Sequence, residues 1–242
     1  MNAPSCPLPP KGSAEFVMPE EVGFWRGAYG YELHRRLRWV LTARGQSVEL
    51  DLVSITRNDK DELDIVATDG HRLHWWHVAV HVFQQVNPTA WHIPRVRQPL
   101  TCSLPDELLE RCSVFTVSKV TEEDVVLIPA PGTLFPNWRK VVPPKAPMGE
   151  TLKFRMGPTK YRWLCAGETA ARFQRVLAAA TQGRASMNAA YLMDLALPGV
   201  ASEWAPSMQE GAQASAPVQF YHLARRHAEG TGTLRAVIMP IG

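Results

Sequence analysis

The segment from Ser47 to Val80 does most to limit what this chain can become. "SVELDLVSI" (Ser47–Ile55) places Val48, Leu50 and Leu52 on one side of an extended chain and Glu49 and Asp51 on the other. Period-two alternation of this kind is the mark of a half-buried strand. A polar turn, "RNDKDE", follows, and then two more strand-like runs, "LDIVAT" and "RLHWWHVAV", joined by Asp69-Gly70. Aspartate-glycine is a turn dipeptide, because glycine supplies the positive φ that a tight hairpin needs. Ahead of the strands lies "YELHRRLRWVLTA" (Tyr31–Ala43), where Leu33, Leu37, Val40 and Leu41 share one helical face. The order is helix, strand, turn, strand, strand.

A similar order recurs downstream. "SLPDELLERC" opens on Ser103, a helix-capping residue, and "SVFTVSKV" and "DVVLIP" follow as strands around the turn "TEE". The recurrence is structural, not a repeat of sequence. "PAPGTLFPNWRKVVPPKAP" (Pro129–Pro147) is dense in proline, which lacks an N–H and restrains its neighbour, so it is expected to be an extended connector. Beyond it come a strand ("TLKFRM") and a helix ("GETAARFQRVLAAATQ") with Phe173, Val176, Leu177 and Ala180 on one side. A second helix ("NAAYLMDLALPG") is capped by Asn188 and stopped by Pro198 and Gly199. Ala201–Pro217 reads as a loop, and "VQFYHLARRH" and "LRAVIMPIG" as closing strands, the last an edge strand.

Composition adds limits. The 242 residues are 45% hydrophobic and 20% charged, with net charge +3, which is ordinary for a globular chain of one or two domains. No apolar run is long enough to span a bilayer, and no membrane partner is expected. "MNAPSCPLPPKGSAEF" lacks the apolar core of a signal peptide and reads as a flexible arm. Cys6, Cys102, Cys112 and Cys165 are scattered without a C-x-x-C pair, so a reducing, cytoplasmic setting is the default.

His71, His74, His77 and His81 invite a metal reading. On a strand, however, His74 faces away from the other three, and no carboxylate or cysteine sits at ligand spacing, so no metal or other cofactor is expected. They read as surface histidines. Asp69 and His71 resemble half of a catalytic dyad, yet no nucleophile motif or phosphate-cradling glycine loop accompanies them, so no enzyme activity is expected. Two helices are basic, through Arg35, Arg36 and Arg38 on one and Arg172 and Arg175 on the other. The first helix's arginines read equally as an ordinary solvated face, and these five are the candidates for a DNA-facing surface. The helix before Cys112 carries Asp106, Glu107 and Glu110 and does not extend that surface.

Four segments, "VATDGHRL" (Val66–Leu73), "FPNWRKVVP" (Phe135–Pro143), "NAAYLMDL" (Asn188–Leu195) and "VIMPIG" (Val237–Gly242), resemble, in the same order, segments of the bacterial DNA polymerase III β sliding clamp family. The resemblance runs from about Gly30 to Gly242 and is strong at these motifs. It implies an α+β DNA-clamp fold: two domains of helices packed on antiparallel sheets, assembling into a ring around duplex DNA. The expected division is an N-terminal arm (1–22), a domain resembling the clamp's second (23–134), a linker (135–147) and a shortened domain resembling its third (148–242).

By the same resemblance the chain is a processivity factor without enzyme activity, which binds DNA without sequence specificity. It tethers DNA polymerase and repair proteins that insert a short linear peptide into an apolar pocket. Carried over by position, that pocket comprises Leu50, Thr68, Gly70, His71, Arg72, Leu73, Pro136, Arg139, Lys140, Val141, Tyr191, Val237, Met239, Pro240 and Ile241. Departures are clear as well. Nothing corresponds to the family's first domain, so six domains would need a homotrimer, with a tetramer the other possibility. Lys140 stands for an arginine, Asn137 for an aspartate, and the family's final Arg-Leu is replaced by an ending in Gly242. The alternative is a clamp-like module that forms no ring and sequesters clamp-binding peptides or binds a host clamp.

Overall fold

A computed structural model describes residues 17–25, 31–47, 50–80, 106–122, 124–144, 147–149, 151–154, 162–180, 186–196, 202–207, 215–223 and 232–241. In chain order these form β1 (Val22–Trp25), α1 (Tyr31–Leu41), β2 (Leu52–Arg57), β3 (Glu62–Thr68), β4 (Arg72–Ala79), α2 (Asp106–Arg111), β5 (Val114–Val120) and β6 (Asp124–Pro129). A 3-10 turn (Trp138–Lys140) precedes β7 (Leu152–Phe154), α3 (Arg162–Ala180), α4 (Ala189–Met193), β8 (Ser202–Ser207), β9 (Val218–His222) and β10 (Thr233–Ile238). His81, Cys6, Cys102 and the alternating Val48 and Glu49 lie outside the described residues.

The strands make one 10-stranded antiparallel sheet, ordered β1-β6-β5-β2-β3-β4-β10-β9-β8-β7. The first six strands of that order come from residues before the proline-dense connector and the last four from residues after it. They are joined at a single seam, β4 with β10, where Leu73 pairs with Val237 and Trp76 with Leu234. β10 is therefore a central strand with β9 on its other side, not the edge strand expected from sequence. Its apolar run suits a strand covered on both faces.

Alternation decides which face each side chain takes. Along β4, His74, Trp76 and Val78 point to the helices, where Leu37, Trp39, Val40, Phe173 and Trp204 complete a continuous core. Trp75 and His77 point to the opposite face. There Val66, Leu73 and Val237 pack with Trp138, Phe135 and Val142 of the connector. The connector thus lies as a strap across the face of the sheet opposite α1 and α3. Its prolines keep it extended, and one 3-10 turn is enough to bury Trp138.

Several boundaries differ from expectation for physical reasons. Val22 is fully buried and pairs with Leu127, so the expected arm ends in a strand residue. α3 begins before Gly167, and on it Val176 is 39% exposed while Ala170, Phe173 and Leu177 are buried. Asn188 does cap α4, accepting from the Ala190 N–H at 2.9 Å, but the helix ends at Met193. The expected loop Ala201–Pro217 contains β8, "SEWAPS", which has neither β-branched residues nor alternation and is held by buried Trp204.

Candidate functional site

The β3–β4 hairpin is built as Asp69-Gly70 requires. Gly70 has φ +87°, and the Asp69 carboxylate accepts from the N–H groups of His71 (3.0 Å) and Arg72 (2.9 Å). Thr68 Oγ1 donates to the Arg72 carbonyl at 2.7 Å and accepts from the Gly70 N–H. The turn is therefore fixed by its own side chains, and its outer rim, Gly70 and His71, is exposed.

Residues distant in sequence are brought to this turn. The Met239 N–H donates to the His71 carbonyl at 2.8 Å, extending the β4–β10 ladder beyond Ile238. Ile241 and Ser186 exchange backbone hydrogen bonds and so place the tail beside the segment entering α4. Arg72 forms the tie on the helix side. Its guanidinium pairs with Asp69 and Asp194, donates to the Thr42 carbonyl at 2.6 Å, and lies 4.6 Å from the Tyr191 ring centroid. Burial raises the Tyr191 pKa above its ordinary value, the Asp69 charge adds to this, and Arg72 opposes it.

On the strap side, Lys140, Val141 and Met239 line a groove of about 350 Å³. Val142, Pro143, Pro144, Ser207, Ala216 and Pro217 complete it, and none of these six is among the pocket residues expected from the resemblance. The prolines were visible in the sequence as a connector. Ser207, Ala216 and Pro217 lay within the segment read as a loop, and nothing local marked them. Of the other expected pocket residues, Leu73 and Val237 are buried beneath the strap, packed against Trp138, and Thr68 is buried in the hairpin. Pro136 and Arg139 are exposed on the strap, Pro240 is half-buried and Ile241 exposed. Leu50 sits in the turn before β2, where its described partners are Gly45 and Ser47.

The strap is pinned through Asp64. This buried carboxylate accepts from Trp75 Nε1 (2.8 Å) and Arg139 Nη2 (3.0 Å) and bonds His77 Nδ1 at 2.8 Å. A charged acceptor taking three partners offsets its own desolvation. Arg139 also stacks 4.5 Å from the Trp138 ring.

Two expectations need correction. Arg35 and Arg36 are 6% and 1% exposed, so they do not face DNA. They lie four residues ahead of the buried Trp39 and Val40 respectively, and Arg36 Nη1 donates to the Gly232 carbonyl at 3.1 Å. Gly232 has φ +75°, and a Cβ there would collide with the His77 carbonyl, so only glycine lets this carbonyl reach Arg36. Arg38 is half-buried, and Arg172 and Arg175 are exposed.

The second correction concerns His74, which is not a surface histidine. It is fully buried, stacked on Trp39 at 4.1 Å, with Nδ1 2.9 Å from the Trp39 carbonyl. Burial pushes its pKa down to about 3. The Trp39 carbonyl raises it, and the Arg72 charge lowers it further. His71 is exposed in the turn and His77 is bound by Asp64 and Glu62. Among the described residues no group of three or more His, Cys, Asp or Glu is placed to hold a metal ion, and no helix is long and apolar enough to cross a membrane.

No family model and no curated protein matches the chain. Solved structures do. The β chain of DNA polymerase III from Streptococcus pneumoniae is 13% identical, with 96% of this chain and 67% of that one covered and a TM-score of 0.46. The DnaN sliding clamp of Bartonella birtlesii, bound to griselimycin, is 16% identical over 96% and 68%, with a TM-score of 0.47. The β subunit from Thermotoga maritima is 13% identical over 99% and 69%, at 0.46.

The chain is similar to bacterial β sliding clamps. In this chain's own geometry, the four clamp-like segments are not scattered. Val66–Leu73 and Val237–Ile241 are paired strands and turns at the seam, Phe135–Pro143 is the strap across it, and Asn188–Leu195 carries the α4 residues that Arg72 grips.

Proposed function

We propose that this chain is a DNA sliding clamp: a homo-oligomeric ring, without enzyme activity, that encloses duplex DNA and holds a polymerase or repair protein by a short peptide. The observation that carries the reading is the convergence of the four clamp-like segments on the β4–β10 seam, with an apolar groove beside them lined by Lys140, Val141 and Met239. A groove of about 350 Å³ with a few polar groups at its rim suits an extended peptide with one or two large apolar side chains. The division of labour between faces supports the same reading. Both long helices lie on one face of the sheet and the groove on the other. Arg38, Arg172 and Arg175 then supply phosphate contacts, weak and salt-sensitive as sliding demands.

The test has two arms. Solution mass with and without duplex DNA should give a closed trimer, or a tetramer. A stable monomer under both conditions overturns the ring and leaves a peptide-binding module. In a fluorescence-polarisation titration with a short extended peptide bearing leucine and phenylalanine anchors, Met239→Ala should weaken binding at least tenfold with the fold intact. Unchanged affinity removes the groove from the proposal. A point substitution is needed because Val237 and Ile238 belong to β10, and deleting the tail would remove sheet pairing.

A further inference from the structure

A second groove lies on the other side of Val142 and Pro143, also about 350 Å³. Its floor is the face of β4, β10 and β9 opposite α1 and α3, presenting Trp75, Arg235, Gln219 and Tyr221, and Met148 also lines it. The Arg235 guanidinium is held between two rings, 4.6 Å from the Trp75 centroid and 5.3 Å from that of Tyr221. It has no carboxylate partner among the described residues. Gln219, 1% exposed, accepts from the Tyr221 hydroxyl through Oε1 at 2.8 Å, while its buried Nε2 has no acceptor among the described residues.

These features differ from those of the first groove. A guanidinium positioned by stacked rings keeps its fork of N–H donors in one plane and loses little rotamer freedom on pairing, which favours two-point recognition of a carboxylate. The first groove offers apolar wall and a lysine. The second offers a pre-oriented cation and an amide with hydrogen-bonding capacity to spare. The two share the wall formed by Val142 and Pro143, so one extended chain can enter both.

We propose that the second groove binds an acidic residue of the same partner peptide, flanking the apolar anchors, through Arg235. This rests on the peptide-docking reading of the first groove and adds the charge its partners must carry. Neighbouring extended chains lie about 5–10 Å apart. At about 3.3 Å per residue, roughly two or three residues carry the peptide over the strap.

The experiment uses the full chain and three kinds of fluorescein-labelled peptide: the apolar anchors alone, the anchors with aspartate two or three residues away on either side, and the same peptides with asparagine. At low salt the aspartate peptide should bind about five- to tenfold more tightly than its asparagine twin. Arg235→Gln should abolish that gain and leave the anchor-only peptide within twofold of wild type, with circular dichroism unchanged. Equal affinity of aspartate and asparagine peptides, with anchor binding intact, overturns the second groove and spares the first. Failure of every peptide to bind the wild-type chain overturns the parent reading and this one with it. Duplex DNA binding that falls with Arg235→Gln while the aspartate gain is absent assigns the guanidinium to phosphate and also overturns the proposal.

Discussion

The two faces of β4 are opposite in character though their residues alternate one by one. His74 and Trp76 enter a sealed aromatic core, where Trp39 stacks on His74 and lies 5.2 Å from Trp204, and the indole N–H of Trp39 reaches the Asp194 carbonyl at 2.8 Å. Trp75 and His77 instead meet a strap, two grooves and a set of charged groups. One face is closed by helices from both halves of the chain and the other is only partly covered. The contrast separates stability from recognition: substitutions on the helix face should unfold the protein, and those on the strap face should change what it binds.

The largest effect should come from the closed face. Trp39→Ala removes a fully buried indole, its stack and its hydrogen bond to the second half of the chain. Urea unfolding should show a loss of about 3–5 kcal/mol. A loss under 1 kcal/mol would mean that the seam is not held by this core.

Acid probes the same face without a mutation. His74 takes a proton near pH 6.5 when unfolded but only at about 3 when folded. The folded pKa is depressed, so its contribution is complete above pH 6.5 and falls as pH drops from there toward 3. The slope approaches about 1.4 kcal/mol per pH unit. His74→Asn should flatten that slope in the pH 4–6 range, measured by urea midpoint against pH. An identical slope in the variant would contradict the neutral, buried histidine.

Arg72→Ala should cost about 2–3 kcal/mol, because it leaves Asp69 and Asp194 without their shared cation in a half-buried site. Loss of peptide binding without loss of stability would instead make Arg72 a peptide contact rather than a tie between halves. The smallest effect on folding belongs to exposed cations. Replacing Arg172 and Arg175 together by alanine should alter stability by less than about 0.5 kcal/mol. The slope of log affinity for duplex DNA against log salt should become shallower by about 1–2. An unchanged salt slope would move the DNA contacts elsewhere.

Much of the first half was legible because its strands are rich in Val, Ile and Leu and its turns carry Asp-Gly and Asn-Asp signals. β6 matches the expected "DVVLIP" residue for residue. β8 was not legible, since Ser, Glu, Ala and Pro carry no strand preference and only its place between β7 and β9 makes it one. Reading the α1 arginines as an outward face failed for Arg35 and Arg36 in the same way. Tertiary packing buries Arg35 and Arg36 together with Trp39 and Val40, and no local pattern in α1 shows it. The motif residues at the seam were readable as a set, but the groove's far wall at Ser207, Ala216 and Pro217 depends on strand order, which no local pattern encodes.

That strand order also sets a schedule. β4 pairs on one side with β3, its neighbour in sequence, and on the other with β10, the last described strand to be synthesised. On a ribosome, the open edge of β4 must wait while the chain from Val80 to Gly232 is made, on the order of ten seconds at about 5–20 residues per second. Through that interval a bare row of N–H and C=O groups, flanked by tryptophans, is available to any passing strand. The seam that joins the two halves is thus also the place where a nascent chain is most exposed to pairing with the wrong partner.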